Sequence, residues 1–570
     1  MKYSVLLTLL YLNRLLVRRW CFNATIFVLS GMLVHAQVPV PPRQPLTPSL
    51  TTQPATEPPQ LVKPTDEEIS AAFLSNPTEQ AQAAFDAYKA GKFEDARKRA
   101  EALAKEGDIN GMYVLALCHQ FGRGGQPSLP EAERWFRQAA EKGHTAARTS
   151  LALLLYSTSG NDKDRLGEAI RLLRESAADD APRVSMVLGE LYARGIGVTT
   201  DFVEADRYFD SAIKAGQIRG WLAKGLLHGG AFGFEKQKSE TKAEEFLKKG
   251  AEAGLADAMI MLGQRKLSAS KGTDPLFDEG LKWLEKAGEK GSGEAYVALG
   301  ALYEEGRLVK KDLLKAFAFY QKGADLGHAP AITKLGYCYE NGLGVEKDAE
   351  KAFLNYKAAA DRGFATAVYN VAVCYDGGAG VEKSPSTAFR FYVASAKAGL
   401  PLGMNETGLR YQAGAGTIED VVAAAGWFAL AAQSGNIPSQ VNLARMYLQG
   451  VGVPRNLSTA VQLYTAAAGA GHPTAAFELG QLNEYGIGMQ RDLVRAHALY
   501  SMAADFKTEK AAEMRDALSK NMSKEQLSAA DLVRKGLPAF KASGDAESKP
   551  APAPSDKPKA GPARTPERKK

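Results

Sequence analysis

The apolar positions of this chain follow a helical period inside a longer repeat. In residues 328–363, apolar or small side chains recur three or four positions apart, which places them on one face of a helix. The first such run is Ala331, Leu335, Cys338 and Tyr339, and the second is Ala352, Tyr356, Ala359 and Ala360. The pattern predicts two helices with a tight turn between them.

This unit recurs every 36 residues. Glycines that can adopt the left-handed C-cap conformation close the first helix of six successive units, at Gly306, Gly342, Gly378, Gly414, Gly450 and Gly486. The second helix carries an aromatic residue at the same interval, at Tyr320, Tyr356, Tyr392, Phe428, Tyr464 and Tyr500. A fixed period of this length is typical of a solenoid of stacked helix pairs.

Helix starts and the extent of the array also follow from the pattern. Asp348 is predicted to cap the second helix of its unit, and Ser384 precedes Pro385 in the same role one repeat later. Ala360 and its equivalents are predicted to lie where neighbouring helices come closest. Eleven units are expected between about residues 106 and 506, although the unit at 146–180 lacks the Gly-x-Gly turn.

The repeated string resembles a known family. The pattern A-x-x-x-L-G-x-x-Y-x-x-G-x-G-V, followed by D-x-x-x-A-x-x-x-Y-x-x-A-A-x-x-G, is similar to the Sel-one-like repeat, a relative of the tetratricopeptide repeat. The resemblance implies a right-handed superhelix of helix pairs and a role as an adaptor for protein partners. A secreted branch of the family carries paired cysteines in each repeat, and this chain lacks them.

The expected fold is therefore all-α, a right-handed α-solenoid of about eleven 36-residue helix-turn-helix repeats with capping helices. A divergent helical cap is predicted before the repeats and closing helices after them, because a solenoid must cover its terminal apolar faces. The predicted segments are the cap at 66–107, the repeats at 108–506 and the closing helices at 507–537.

The N-terminal segment 1–36 has the features of an export signal. Arginines precede an apolar stretch of about a dozen residues, and Ala36 provides a small residue before a cleavage point, so the mature chain is predicted to begin at Gln37. The chain is then expected to be periplasmic or secreted. The alternative is an uncleaved segment that anchors it.

Two further segments have compositions that do not favour a packed core. Residues 37–65 contain nine prolines and predict an extended linker. Residues 538–570 form a Pro-, Ala- and Lys-rich tail, expected to be disordered. The tail is basic, and an alternative role for it is electrostatic contact with acidic envelope material.

Charge is concentrated at the two ends of the chain. The formal net charge is +7, and the N-terminal segment and the tail each contribute about four positive charges, which leaves the repeats close to neutral. Nucleic acid is therefore not expected as the main ligand, because backbone binding needs a basic face.

Candidate chemistry is sparse. Cys118, Cys338 and Cys374 occupy one repeat position that holds leucine or methionine in other units, so they are interpreted as buried apolar residues without a disulfide. His144, His328 and His472 share another position, where a solvated or capping role is expected. No catalytic, metal-binding or cofactor-binding motif was found, so the chain is not predicted to be an enzyme.

Two functional hypotheses remain open. The first is a non-catalytic scaffold of the bacterial-type cell envelope that binds a protein or peptide on the concave face, lined by the first helices. The alternative is a binder or processing enzyme of a cell-wall polymer. Arg410 replaces the leucine, methionine or cysteine of other units beside Tyr411, so these two residues are the predicted partner-binding site. The simpler interpretation is an arginine whose stem packs while its head reaches water.

Overall fold

The computed structural model describes residues 78–177, 182–272, 274–508 and 510–537. These ranges contain 26 α-helices, one short 3₁₀ helix at Glu235–Gln237 and no strand. The predicted signal peptide, proline-rich linker and basic tail lie outside the described residues, as does the start of the predicted N-terminal cap.

The helices follow one another with short connections. They are α1 (Glu79–Lys89), α2 (Phe93–Lys105), α3 (Ile109–Phe121), α4 (Leu129–Glu141), α5 (Thr145–Ser159), α6 (Lys163–Ala177), α7 (Pro182–Arg194), α8 (Phe202–Lys214), α9 (Arg219–His228), α10 (Glu240–Glu252), α11 (Ala256–Ala269), α12 (Pro275–Glu289), α13 (Gly293–Glu305), α14 (Leu313–Asp325), α15 (Ala329–Asn341), α16 (Ala349–Ala360), α17 (Ala365–Gly377), α18 (Pro385–Lys397), α19 (Pro401–Ala413), α20 (Val421–Gln433), α21 (Ile437–Gln449), α22 (Leu457–Gly469), α23 (Pro473–Tyr485), α24 (Leu493–Asp505), α25 (Ala511–Ser519) and α26 (Lys524–Gly536).

The described chain divides into two compact units, 78–331 and 332–537. Within each unit, most helices that are consecutive in sequence pack against each other. Helices α3 to α24 make eleven pairs, so the predicted all-α solenoid of eleven repeats is confirmed. Odd-numbered members of this range are the first helices of their repeats, and even-numbered members are the second helices.

The two glycines of each turn have different roles. Gly378 has φ +74° and its N–H donates to the Cys374 carbonyl at 2.8 Å, which ends α17 as a left-handed C-cap. Gly380 is also in the left-handed region, and a Cβ there would lie 2.0 Å from the backbone carbonyl of Ala349. The second glycine therefore lets the turn pack directly on the start of the preceding second helix.

A buried aromatic side chain of the second helix fills the space inside most pairs, and a buried leucine does so in α10 (Leu247) and α12 (Leu284). Tyr356 is 0% exposed, and its hydroxyl donates to Glu340 Oε2 at 2.8 Å. Its ring lies against Gly336, where a Cβ would be 2.7 Å from Cε1 of the ring. Glycine at this position of the first helix lets the ring approach the helix backbone.

The position before the predicted one is buried in five successive repeats. Ala359 and its equivalents Gly323, Ser395, Ala431 and Ala467 are all buried, whereas of the predicted residues Ala396 and Ala468 are buried and Ala324, Ala360 and Ala432 are half-buried. The prediction chose the position that is always alanine. The structure shows that its neighbour faces the next helix, including at Gly323, where a Cβ would lie 2.8 Å from Ala331 Cβ.

The repeat formed by α5 and α6, which lacks a Gly-x-Gly turn, keeps its helix pair. An ion-pair network joins it to the preceding second helix, α4. Arg137 in α4 pairs with Glu168 in α6 and with Glu133, which also pairs with Arg165. Arg165 in turn donates to Thr158 Oγ1 at 3.0 Å at the end of α5. These polar contacts tie the three helices together where the usual turn is missing.

Helices α25 and α26 lie against α24. A buried cluster joins Tyr500 of α24 to Leu518 of α25 and Ala530 of α26. Helix α26 begins with a capping box, in which Ser523 and Gln526 satisfy each other's backbone N–H groups. The last described repeat therefore has an apolar cover.

Candidate partner-binding site

A line of polar side chains runs through the first helices of the unit 332–537. The sixth residue of five successive first helices (α15, α17, α19, α21 and α23) is polar, and we call these residues the polar column: Lys334, Asn370, Glu406, Asn442 and Glu478. The first four are 3%, 6%, 7% and 9% exposed. Because polar groups are rarely buried without partners or a role, this column is the best candidate for a functional surface.

The predicted site residue Arg410 contacts the column. Its guanidinium Nη2 donates to Asp376 Oδ2 at 2.9 Å, which joins α19 to α17, and lies 3.6 Å from Glu406 Oε2. The guanidinium carbon is 5.2 Å from the centre of the Tyr392 ring. Arg410 is therefore a partly buried, ion-paired group, and its Nε has no hydrogen-bond acceptor among the described residues.

The electrostatics of this part of the site are set by burial. Burial raises the pKa of Glu406, and the nearby Asp376 raises it further, while Arg410 opposes both effects. Burial also raises the pKa of Tyr392. Arg410 is the positive charge that this pair of carboxylates shares.

Neutral hydrogen bonds continue the column toward the C-terminus. Asn405 Oδ1 accepts from Ser439 Oγ at 2.8 Å and from the Asn442 amide at 3.4 Å, joining α19 to α21. Arg445 of α21 then pairs with Glu478 of α23 at 2.9 Å. Side chains on adjacent first helices are thus held by each other, which fixes their orientation before any partner binds.

The structure gives Tyr411 a different environment. Its ring packs edge-on against Phe389, with the ring centres 5.0 Å apart, as Tyr375 packs against Phe353 one repeat earlier. Tyr411 therefore takes part in an aromatic contact that recurs between repeats. Arg410 is placed among the polar residues, and Tyr411 is not.

The polar column itself was not identified from the sequence. The signal was present, since the sixth position reads Lys, Asn, Glu, Asn and Glu from α15 onward, whereas α13 has Ala298 there. These residues do not belong to the repeat template, so the template gives no indication of them. Binding residues of a solenoid occupy the positions that the template leaves free.

The other residues singled out from the sequence, the three cysteines and His144, contribute to packing and helix capping. Cys118, Cys338 and Cys374 are buried. His144 is fully buried and its Nδ1 accepts from the N–H of Ala147 at 3.2 Å, so its role is helix capping and it is not solvated. The described residues contain no group of His, Cys, Asp and Glu arranged to hold a metal ion. Ala36 and Gln37 lie outside the described residues.

No helix among the described residues has the length and apolarity needed to cross a lipid bilayer.

The fold and the repeated contacts define an α-solenoid of short helix pairs, and comparison with known proteins identifies its family. The Sel1 repeat model matches ten segments that together cover more than half of the chain, at 109–144, 186–217, 221–255, 256–292, 293–328, 329–364, 365–400, 401–436, 437–472 and 473–505. The chain belongs to the Sel1 repeat family. The pair α5–α6 is the eleventh repeat, which has diverged beyond the family pattern.

Two curated relatives are similar to parts of the chain. The Sel1-repeat-containing protein YjcO of Escherichia coli is 30% identical over 162 residues, 27% of this chain and 69% of YjcO. Chitin synthase regulatory factor 3 of Schizosaccharomyces pombe is 26% identical over 229 residues, 38% of this chain. This chain spans only 24% of that yeast protein's length.

Two solved structures are also similar. The protective antigen c5321 of uropathogenic Escherichia coli, which displays an SLR fold, is 28% identical with a TM-score of 0.45, covering 77% of this chain and 94% of that one. A Sel1 repeat protein from Oxalobacter formigenes is 29% identical with a TM-score of 0.40, covering 43% of this chain and 99% of that one. Sel1 repeat proteins are generally protein-interaction scaffolds without catalytic activity.

Proposed function

We propose that this chain is a non-catalytic scaffold of the cell envelope that binds a peptide or protein segment along the polar column. The observation that supports this proposal is the column itself, with four successive polar residues less than 10% exposed at one repeat position. A monomeric solenoid gains little from burying such groups, since an apolar side chain of similar size would stabilise the packing more.

The chemistry of the column suits an extended peptide. The amides of Asn370 and Asn442 each offer a donor and an acceptor, the same pair that a backbone peptide group presents. An extended segment has no internal backbone hydrogen bonds, so it can use these amides as partners. The Arg410 side chain is 23% exposed, so its guanidinium, which already pairs with Asp376, can also approach an acidic group of the ligand.

The envelope location rests on the N-terminal sequence. Arginines followed by an apolar stretch and a small residue at Ala36 favour export, with a mature start at Gln37. Under this proposal the partner is another exported or envelope-exposed protein.

The proposal can be tested by affinity capture from envelope extract with the full chain. We expect the double variant Asn370→Leu, Asn442→Leu to lose the captured partner while keeping its helical circular dichroism and thermal midpoint. Gln462→Leu is the matched control, because Gln462 is an exposed amide on the second helix α22. Cross-linking followed by mass spectrometry would locate the partner on the first helices.

Two outcomes would contradict the proposal. Capture that is equal for the wild type and the column variant would exclude the polar column as the binding surface. Sedimentation of the chain with purified cell-wall polymer, unchanged by the column substitutions and without any protein partner, would favour the polymer-binding alternative.

A further inference from the structure

The second helix α20 presents an apolar ridge to solvent. Ile418, just before the helix, and Val422 and Leu430 within it are 87%, 67% and 41% exposed. Within the helix, Val422, Gly426 and Leu430 are four apart and lie along one line. We call Val422, Gly426 and Leu430 the α20 ridge.

Helix α20 itself carries no charge. Residues 421–444 contain no Asp, Glu, Lys or Arg, whereas the exposed acids Glu419 and Asp420 precede the helix. The second helices on either side carry polar residues at the position of Gly426, Arg390 in α18 and Gln462 in α22. The ridge is therefore an apolar centre with polar neighbours, which is the pattern of a protein interface.

Gly426 adds an independent observation. It lies in the middle of a regular helix, where glycine lowers helix stability relative to alanine. A Cβ at this position would meet no atom within 4 Å, so nothing inside the chain requires glycine here. Glycine at an exposed helix position does allow another backbone to approach closely.

The chain itself shows how such a ridge is covered. At the same positions of the last second helix, α24, lie Val494, Ala498 and Met502, and the last two are 0% exposed. Helices α25 and α26 pack against α24, so Val494 joins the cluster that contains Leu518, and Met502 contacts the cluster that contains Leu537. An α-helix is thus the kind of element that this line accepts.

We propose that the α20 ridge is a self-association surface on which α20 of a second copy crosses at Gly426. A two-fold contact places residues near the axis opposite their own counterparts, so a charge there would meet its own sign. The absence of charge over 421–444 meets this condition, whereas a surface for a different protein normally carries charges for complementarity. One helix crossing buries less than the ~800 Å² per partner of a standard interface, so the dimer is weak and concentration-dependent.

The test is sedimentation velocity of the full chain over a wide range of concentrations. We expect the wild type to shift toward dimer as concentration rises, and Val422→Glu to weaken association at least tenfold. Leu354→Glu is the matched control and should associate like the wild type, because Leu354 is 56% exposed on α16 at the position equivalent to Gly426. Leu430→Glu provides a second ridge variant, and circular dichroism confirms that each variant is folded.

A wild type that stays monomeric at every concentration would overturn the proposal. So would a dimer that both ridge variants leave unchanged. If the chain is monomeric and a different protein is lost when the ridge is substituted, the ridge binds that protein and not a second copy.

Discussion

The buried tyrosines of the second helices differ in whether the hydroxyl has a hydrogen-bond partner. Tyr356 donates to Glu340 at 2.8 Å, and Tyr500 donates to Glu484 at 2.7 Å. Tyr464 is also 0% exposed, but the residue at the matching position of its first helix is Leu448, and no residue in the described part of the chain forms a hydrogen bond with its hydroxyl. The same ring therefore fills the same space with and without a partner.

This difference predicts opposite effects for one substitution. Tyr356→Phe should lower the free energy of unfolding by about 1–2 kcal/mol, because a hydrogen bond to a carboxylate is lost. Tyr464→Phe should be neutral or stabilising by up to about 1 kcal/mol, because it removes an unsatisfied buried hydroxyl. Urea denaturation of both variants measures the difference. Equal losses would indicate that Tyr464 has a partner in solution.

His144 makes stability depend on pH. Burial lowers the pKa of its imidazole to about 4, and the Nδ1 that accepts from Ala147 must be unprotonated to do so. In the unfolded chain the pKa of histidine is about 6.5, so below that pH the unfolded state binds more protons. The stability from neutral His144 is complete above pH 6.5 and is lost between about pH 6.5 and 4, by about 3 kcal/mol.

Another repeat of the chain suggests the variant that tests this effect. Asn436 occupies the same position before α21, and its Oδ1 accepts from the N–H of Ser439 at 2.9 Å. His144→Asn should keep the cap and remove the titration, so its unfolding free energy should fall less than that of the wild type from pH 7 to pH 4.5. Identical slopes would mean that His144 is protonated in the folded chain. Burial also lowers the pKa of His472 to about 4, so part of the acid sensitivity should remain.

At the scale of the helix pair, the contact between glycine and the aromatic ring sets the distance between helices. A Cβ at Gly336 would lie 2.7 Å from the Tyr356 ring, yet Ala372 holds the same position opposite Tyr392. Alanine is therefore compatible with the fold after a small shift. Gly336→Ala should destabilise the chain by about 1–3 kcal/mol through overpacking.

The control for this substitution is a glycine with free space. Gly167 lies inside α6, and a Cβ there would meet no atom within 4 Å. Gly167→Ala should raise the free energy of unfolding by up to about 1 kcal/mol, as expected for an exposed helix position. Thermal melts of the two variants would therefore shift in opposite directions. A stabilising Gly336→Ala would show that the ring does not lie against this backbone.

A charged cluster replaces apolar packing between α8, α9 and α10. Lys224 is 4% exposed at the position of Leu262 and Leu299 in later first helices, and its Nζ lies 2.7 Å from Asp210 and 3.1 Å from Asp206. His228 Nε2 lies 3.1 Å from the same Asp206 carboxylate. The ammonium group is also 4.7 Å from the centre of the Phe246 ring.

Removing the two carboxylates of this cluster should change the stability of the fold differently from removing the lysine ammonium group. Asp206→Ala with Asp210→Ala leaves a buried ammonium without a carboxylate, and should cost about 3–5 kcal/mol. Lys224→Leu restores the usual residue and should be neutral or stabilising, because the two carboxylates are partly exposed and remain hydrated. Guanidinium denaturation of the two variants tests this. A larger loss for Lys224→Leu would show that the ion pairs give net stability.

The sequence predicted the elements better than it predicted the contacts between them. Glycine C-caps and Asp or Ser N-caps are local signals, so the start of α16 after Asp348 and the end of α17 at Gly378 followed from them. The sequence did not distinguish Ala360 from the more deeply buried Ala359, because burial between helices depends on the rotation of each helix, which a shared alanine does not reveal. The polar column depends on contacts between residues about 36 positions apart, and these are known only once the helices are packed.

At the scale of the whole molecule, the two proposed surfaces are on different kinds of helix. The polar column belongs to the first helices α15 to α23, and the α20 ridge belongs to a second helix. The substitutions that test partner binding on the polar column therefore differ from those that test self-association through the α20 ridge. Either proposal can fail without the other. The eleven repeats supply the helical frame, and the non-template residues supply the surfaces.

The net positive charge of the chain lies mainly outside the repeats, which leads to a prediction about the basic tail. Residues 538–570 hold eight Lys or Arg against four acids, whereas Leu537 still packs against the cluster around Met502 and Ala511. A chain that ends at Leu537 should therefore melt like the full chain. It should elute from a dextran sulfate column at lower salt, because contact with a polyanion is screened as ionic strength rises. A truncated chain with unchanged elution would place the acidic contact on the repeats, and a lowered melting temperature would show that the tail packs against them.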